Sequence, residues 1–244
     1  MGKTMEKIKS LLNLTSVEIL PNLSVRIPTV GEILEDEEKY YRIVSSLTAA
    51  PFQYMVQLDD MGIDYTKVTD YELFKTIFLM YAKSDLSLLF GNLETADFDL
   101  YINQHDNQTI LYSPNNNIII DEGVYNDLAD TIRKINLFEK VKSKPGNESA
   151  RKYLLDKERK KQKRNADKQA EPYLEKMVIA LVNTNEFPYN YDTCMDLSIY
   201  KFNQSFKQIQ HKIAFDNTMI GVYAGTVDTS KLSSKDNLSW IQNK

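Results

Sequence analysis

Residues 142–168 read KSKPGNESARKYLLDKERKKQKRNADK, and they divide the chain in two. The stretch holds eleven Lys or Arg against four acids, Glu148, Asp156, Glu158 and Asp167. Its formal charge is +7 in a chain of formal charge −4, which leaves −11 on the flanks. After Pro145 and Gly146, Asn147 can cap a helix whose first turns bury Ala150, Leu154 and Leu155. Between residues 156 and 169 only Ala166 is apolar. Such a helix stands in solvent, lies on an acidic surface or frays. Its cations Lys157, Arg159, Lys160, Lys161, Lys163 and Arg164 would gain from dense phosphate through counterion release. Nucleic-acid surfaces usually interleave aromatic readers, however, and Tyr153 is the one aromatic here. A solvated helical linker ranks first, a protein partner or the chain's own acidic surface second, and nucleic acid third.

On the N-terminal side, Met5, Ile8, Leu11 and Leu12 share one face of a short amphipathic helix over 4–14. A polar stretch around Pro21 and Asn22 separates it from the next element. Thr29 and Glu32 form a capping box, opening a helix expected to run through Tyr40, Ile43, Val44 and Leu47 to Pro51. A second helix carries Met55, Val56 and Leu58 and stops at Gly62. Thr69 and Glu72 form another capping box before Leu73, Phe74, Ile77 and Phe78, apolar over a wide arc. The period then changes to short β-rich runs at 98–102, 109–112 and 118–120, separated by turn residues, which reads as an antiparallel meander. Asp121 caps a further helix with Leu128, Ile132 and Ile135 at helical spacing.

On the C-terminal side, Pro172 marks a break before Leu174, Met177, Val178 and Leu181. Met195, Ile199, Phe202, Phe206, Ile209, Ile213 and Ile220 then follow at spacings of 4, 3, 4, 3, 4 and 7. That is a heptad seam, the period at which one helix meets another along its length. Ile199, Phe202, Phe206, Ile209 and Ile213 are its candidate partner-binding residues. Gly221 and Gly225 read as a helix C-terminus packed on the body.

The chemistry of an enzyme is largely missing. Gly2, Lys3 and Thr4 lack the glycine and strand of a phosphate loop. His105 and His211 have no metal-spaced partner. Cys194, the only cysteine, reads as a small packing residue, and it excludes an internal disulfide. Asp59, Asp60 and Asp64 cluster in a turn without the spacing of a calcium loop. No enzyme, cofactor or metal is expected. Residues 1–14 lack the apolar core of a signal peptide, and no run of about 18 apolar residues occurs. A soluble intracellular protein with no membrane partner is expected.

Residues 27–35 (IPTVGEILE), 57–64 (QLDDMGID), 145–148 (PGNE), 182–184 (VNT), 199–203 (IYKFN) and 221–228 (GVYAGTVD) resemble a family encoded by tailed bacteriophages and prophages of Gram-positive bacteria. The resemblance implies a late structural-region product, similar to the helical chaperones that coat a tape-measure protein during tail assembly. Its partner would be a phage tail protein in the host cytoplasm or the virion.

The expected architecture is mainly α with a small antiparallel β-meander. An N-terminal amphipathic arm (1–24) precedes a helical domain holding the meander (25–141). A basic helical linker (142–172) then leads to a C-terminal helical region (173–244) folded as a hairpin.

Overall fold

The computed structural model describes residues 10–103, 107–166, 173–232 and 238–241. The features expected at Gly2, Lys3, Thr4, Met5, Ile8, His105 and Pro172 lie outside those residues. In its described part the N-terminal arm is not an amphipathic helix. A 3-10 turn, Leu11–Asn13, buries Leu11, and a hairpin of β1 (Ser16–Leu20) and β2 (Leu23–Arg26) follows. Pro21 and Asn22 make the two-residue turn, with Asn22 at φ 70°. Leu23, Val25 and Ile27 alternate onto the buried face, as strand geometry requires.

The capping box at Thr29 forms. The Thr29 hydroxyl accepts the Glu32 N–H at 3.2 Å, and the Glu32 carboxylate accepts the Thr29 N–H at 2.9 Å. The helix it opens, α1 (Val30–Leu34), is shorter than its sequence pattern implies. Asp36, in a non-helical conformation, accepts the Lys39 N–H at 3.1 Å and so starts a separate helix, α2 (Glu37–Leu47). A 3-10 turn, Pro51–Tyr54, leads into α3 (Met55–Asp60), which closes at Gly62 with φ 73°. The second capping box opens α4 (Asp70–Tyr81), and α5 (Ser87–Phe90) ends at Gly91.

The meander forms as β3 (Asp99–Ile102), β4 (Thr109–Ser113) and β5 (Ile118–Ile120), antiparallel and in chain order. Asp97 holds its second turn by accepting the Ser113 hydroxyl at 2.7 Å and the Asn115 N–H at 3.0 Å. The remaining helices are α6 (Glu122–Asn136), α7 (Glu148–Asn165), α8 (Tyr173–Val182), α9 (Tyr191–Met195) and α10 (Ile199–Tyr223). The fold is therefore mainly α with small antiparallel sheets, the hairpin adding to the expected meander.

One cluster of buried side chains runs from Leu11 and the hairpin through α1, α2, α4 and α6 to α8 and α10. Phe74 and Phe78 of α4 lie within it, Phe74 at 4.6 Å from the Tyr125 ring and Phe78 at 5.2 Å from Phe98. Several buried polar groups here are matched, which avoids the cost of an unmet donor. Arg133 donates to the Thr48 carbonyl at 2.7 Å, and the Tyr40 hydroxyl donates to Asn136 at 3.0 Å. Burial pushes the Tyr40 phenol well above its ordinary range, so it stays a neutral donor. The Val30 N–H donates to the Leu197 carbonyl and the Ile199 N–H to the Pro28 carbonyl, both at 2.8 Å. These bonds join the start of α1 to the start of α10.

α10 changes character along its length. Ile199, Phe202 and Ile209 are buried, whereas Ile213 is 42% and Ile220 67% exposed. At its end a Cβ on Gly221 would come within 2.6 Å of the Val227 side chain, so a larger residue would displace the returning tail. Gly225, at φ 70°, reverses the chain. The glycine motif thus packs against the chain's own returning tail rather than the body. Phe202→Ala is expected to lower the unfolding free energy by about 3–5 kcal/mol. Ile220→Ala, in the same seam, should stay within about 0.5 kcal/mol. Urea unfolding of the two variants checks the contrast.

Candidate interaction surfaces

The basic helix and the acidic turn, two separate features of the sequence, meet in the structure. α7 lies on α3, with Leu155 buried among Met55, Val56, Leu58 and Tyr65. Arg159 reaches Asp59 and Asp60, each at 2.7 Å, and Arg151 reaches Asp64 at 3.5 Å. Asp59, Asp60 and Asp64 therefore serve as partners of α7. Among the described residues, no group of three or more His, Cys, Asp or Glu side chains is placed to hold a metal ion. Partly exposed ion pairs contribute little each. Burial of Leu155 stabilises the seat more, by an amount on the order of 2 kcal/mol. The apolar seat holds the helix, and the pairs set its register.

Asp64 is held below the usual carboxylate range, chiefly by the Thr66 hydroxyl at 2.8 Å and the Thr66 N–H at 3.0 Å, with Arg151 adding to them. Its folded pKa thus lies below the unfolded value. Its contribution is full above that unfolded value and is lost as pH falls through the folded one. The other cations of the basic stretch, Lys157, Lys160, Lys161, Lys163 and Arg164, lie at the surface, as does Tyr153. Of these, Lys161 pairs within the helix, with Glu158 at 3.5 Å.

A groove of about 1040 Å³ lies between α2, the end of α6, α8 and α10. Leu34, Tyr41, Leu137, Phe138, Met177 and Phe206 give it apolar walls, and Glu35, Asp36, Glu37 and Glu38 make one rim acidic. Two local devices shape it. Leu137 adopts the left-handed conformation at φ 55°, so α6 stops there and Phe138 turns in towards Tyr41, ring to ring at 6.3 Å. The Glu37 carboxylate accepts the N–H groups of Tyr173 and Leu174, each at 2.7 Å, and so caps α8 from another helix.

The candidate seam is thereby divided. Ile199, Phe202 and Ile209 face the chain's own core, Phe206 lines the groove, and Ile213 is exposed. Phe206, Ile213 and Ile220 recur every seven residues, so they share one face of α10. That stripe leaves the groove and extends about 21 Å along the helix. The tail returns beside α10, where Gln208 donates to the Trp240 carbonyl at 2.6 Å and His211 contacts the Ser239 carbonyl at 2.7 Å. Trp240 and Ile241 remain exposed. Leu34, Tyr41, Leu137 and Met177 carry no signal of this role in the sequence, because no local pattern brings four separate elements together. Cys194 is fully buried, and burial raises its thiol pKa, which keeps it protonated. Among the described residues no helix is long and apolar enough to cross a membrane.

Residues 160–244 match the profile of a family described as YomV second domain, of phage or prophage type. The matched part takes in the end of α7 and all of α8, α9 and α10. No curated protein and no solved structure matches the chain.

Reversing one pair tests the seating of α7. Arg159→Glu should speed amide hydrogen exchange throughout α7 and leave α4 and α6 unchanged. Unaltered exchange in α7 would mean that the acidic turn does not hold it.

Proposed function

We propose that the chain is a non-enzymatic phage protein that acts in tail assembly or as a structural interaction protein. It binds an amphipathic helix of another phage protein, a tail component such as the tape-measure protein. The supporting observations are the apolar groove, lined in part by Phe206, and the exposure of Ile213 and Ile220 on the same face of α10. A groove of this kind suits a helix that presents anchors at i, i+3, i+4 and i+7. The rim carboxylates Glu35, Asp36, Glu37 and Glu38 outnumber the lining cations Arg42 and Lys207, which favours an occupant with Lys or Arg flanking its apolar face. The phage or prophage type of the matched family supports the setting. The assignment to tail assembly draws on the resemblance of residues 27–35, 57–64 and 221–228.

Co-expression with individual tail proteins and pull-down tests this reading. One tail component should co-purify, and Ile213→Asp should reduce its recovery at least tenfold while the circular dichroism of the chain is unchanged. Association with no tail component, or recovery indifferent to Ile213→Asp, would refute it. The surface cations of α7 favour a second reading, contact with nucleic-acid phosphates through Lys157, Lys160, Lys161 and Arg164. Nuclease treatment separates the two, since a protein–helix complex survives it and a phosphate-bridged one does not.

A further inference from the structure

A second cavity, of about 560 Å³, opens between the body and the segment that joins α6 to α7. Its size falls within the roughly 300–1,000 Å³ of sites that take small molecules. Lys67 reaches it from the body, and Lys140, Lys142 and Lys144 from the connecting segment. The one carboxylate in its lining, Asp70, is held by Lys140 at 3.0 Å. Among the described residues no salt bridge engages Lys67, Lys142 or Lys144. Four lysines against one carboxylate leave the lining net cationic, and an anion of two or more charges answers that charge. The first turn of α4 already carries Asp70 and Glu72, so the lysines rather than the helix end supply the attraction.

The rest of the lining is of a different kind. Pro51, Phe52, Val68 and Val141 make an apolar wall, and the Phe52 ring meets the Tyr65 ring edge to face at 6.2 Å. An apolar wall beside a cationic rim fits a molecule that is anionic at one end and planar or apolar at the other. A carboxylate brings one charge, whereas a phosphoryl group brings close to two and three acceptor oxygens.

We propose that this cavity binds a phosphorylated small molecule of nucleotide size, its phosphates on Lys67, Lys142 and Lys144 and its planar body against Phe52. Two of those lysines belong to the connecting segment and one to the body. Occupancy therefore ties the segment down and fixes the direction in which α7 leaves α6. The inference is independent of the groove and of the partner proposed for it.

Titration calorimetry of the full chain with ATP as the probe tests the proposal. ATP should bind, and the exposed-site variant Lys142→Ala/Lys144→Ala should weaken it at least tenfold, a shift of about 1.4 kcal/mol. Lys83→Ala, just past the end of α4 away from the cavity, should leave the affinity unchanged. Adenosine and inorganic phosphate should each bind at least tenfold more weakly than ATP. In the unmodified protein, ATP should also slow tryptic cleavage after Lys140 and Lys142. No binding at about 1 mM ATP, equal affinity in Lys142→Ala/Lys144→Ala, or inorganic phosphate binding as tightly as ATP would each overturn the proposal.

Discussion

Two backbone hydrogen bonds, Val30 N–H to the Leu197 carbonyl and Ile199 N–H to the Pro28 carbonyl, join helix starts from opposite ends of the chain. Thr29 and Ser198, the residues they bracket, are also the side-chain caps of α1 and α10. One short contact thus satisfies the exposed amides of two helices and places α10 against the N-terminal body. Ile199 and Phe202 follow at once into the shared core. From that anchor the direction of α10 is fixed, and at 25 residues it is longer than the body it packs on needs. Its second half therefore carries Ile213 and Ile220 out beyond the core.

The charge separation along the chain has a comparable local resolution. The +7 stretch is not a free rod, because Arg151 and Arg159 turn inward to Asp64, Asp59 and Asp60 while Leu155 fills an apolar seat. The acidic turn at the end of α3 is the complement of one face of α7. The opposite face keeps its lysines in solvent, where long side chains lose little by remaining mobile. Seating depends on one buried leucine and a few partly exposed pairs, so α7 is held more lightly than α4 or α6, whose aromatic and aliphatic faces are buried throughout.

What the residues reveal by themselves is what local chemistry decides. The caps at Thr29, Thr69, Asp121 and Asn147 each involve a side chain and an amide three residues away, and all four form. The meander is legible because β-branched runs alternate with Asn-rich turns. The hairpin of β1 and β2 is hidden because Pro21 and Asn22 read as a spacer, although Leu23, Val25 and Ile27 alternate beyond them. The break between α1 and α2 is hidden because the apolar spacing continues across Asp36, whose cap starts a new helix there. The seam indicates that α10 meets something along its length, but periodicity carries no information on whose surface that is. The groove lies further still from the sequence, since Tyr41, Phe138, Met177 and Phe206 converge only through tertiary packing.

In its first half α10 is core, and its second half is the surface we propose for contact. Hydrogen exchange resolved along the helix tests that division most directly. Amides of 202–210 should exchange only through global unfolding, and those of 213–223 by local opening that slows when the helical partner is bound. Uniform protection from 199 to 223 in the free chain, or a second half indifferent to the bound partner, would contradict the account.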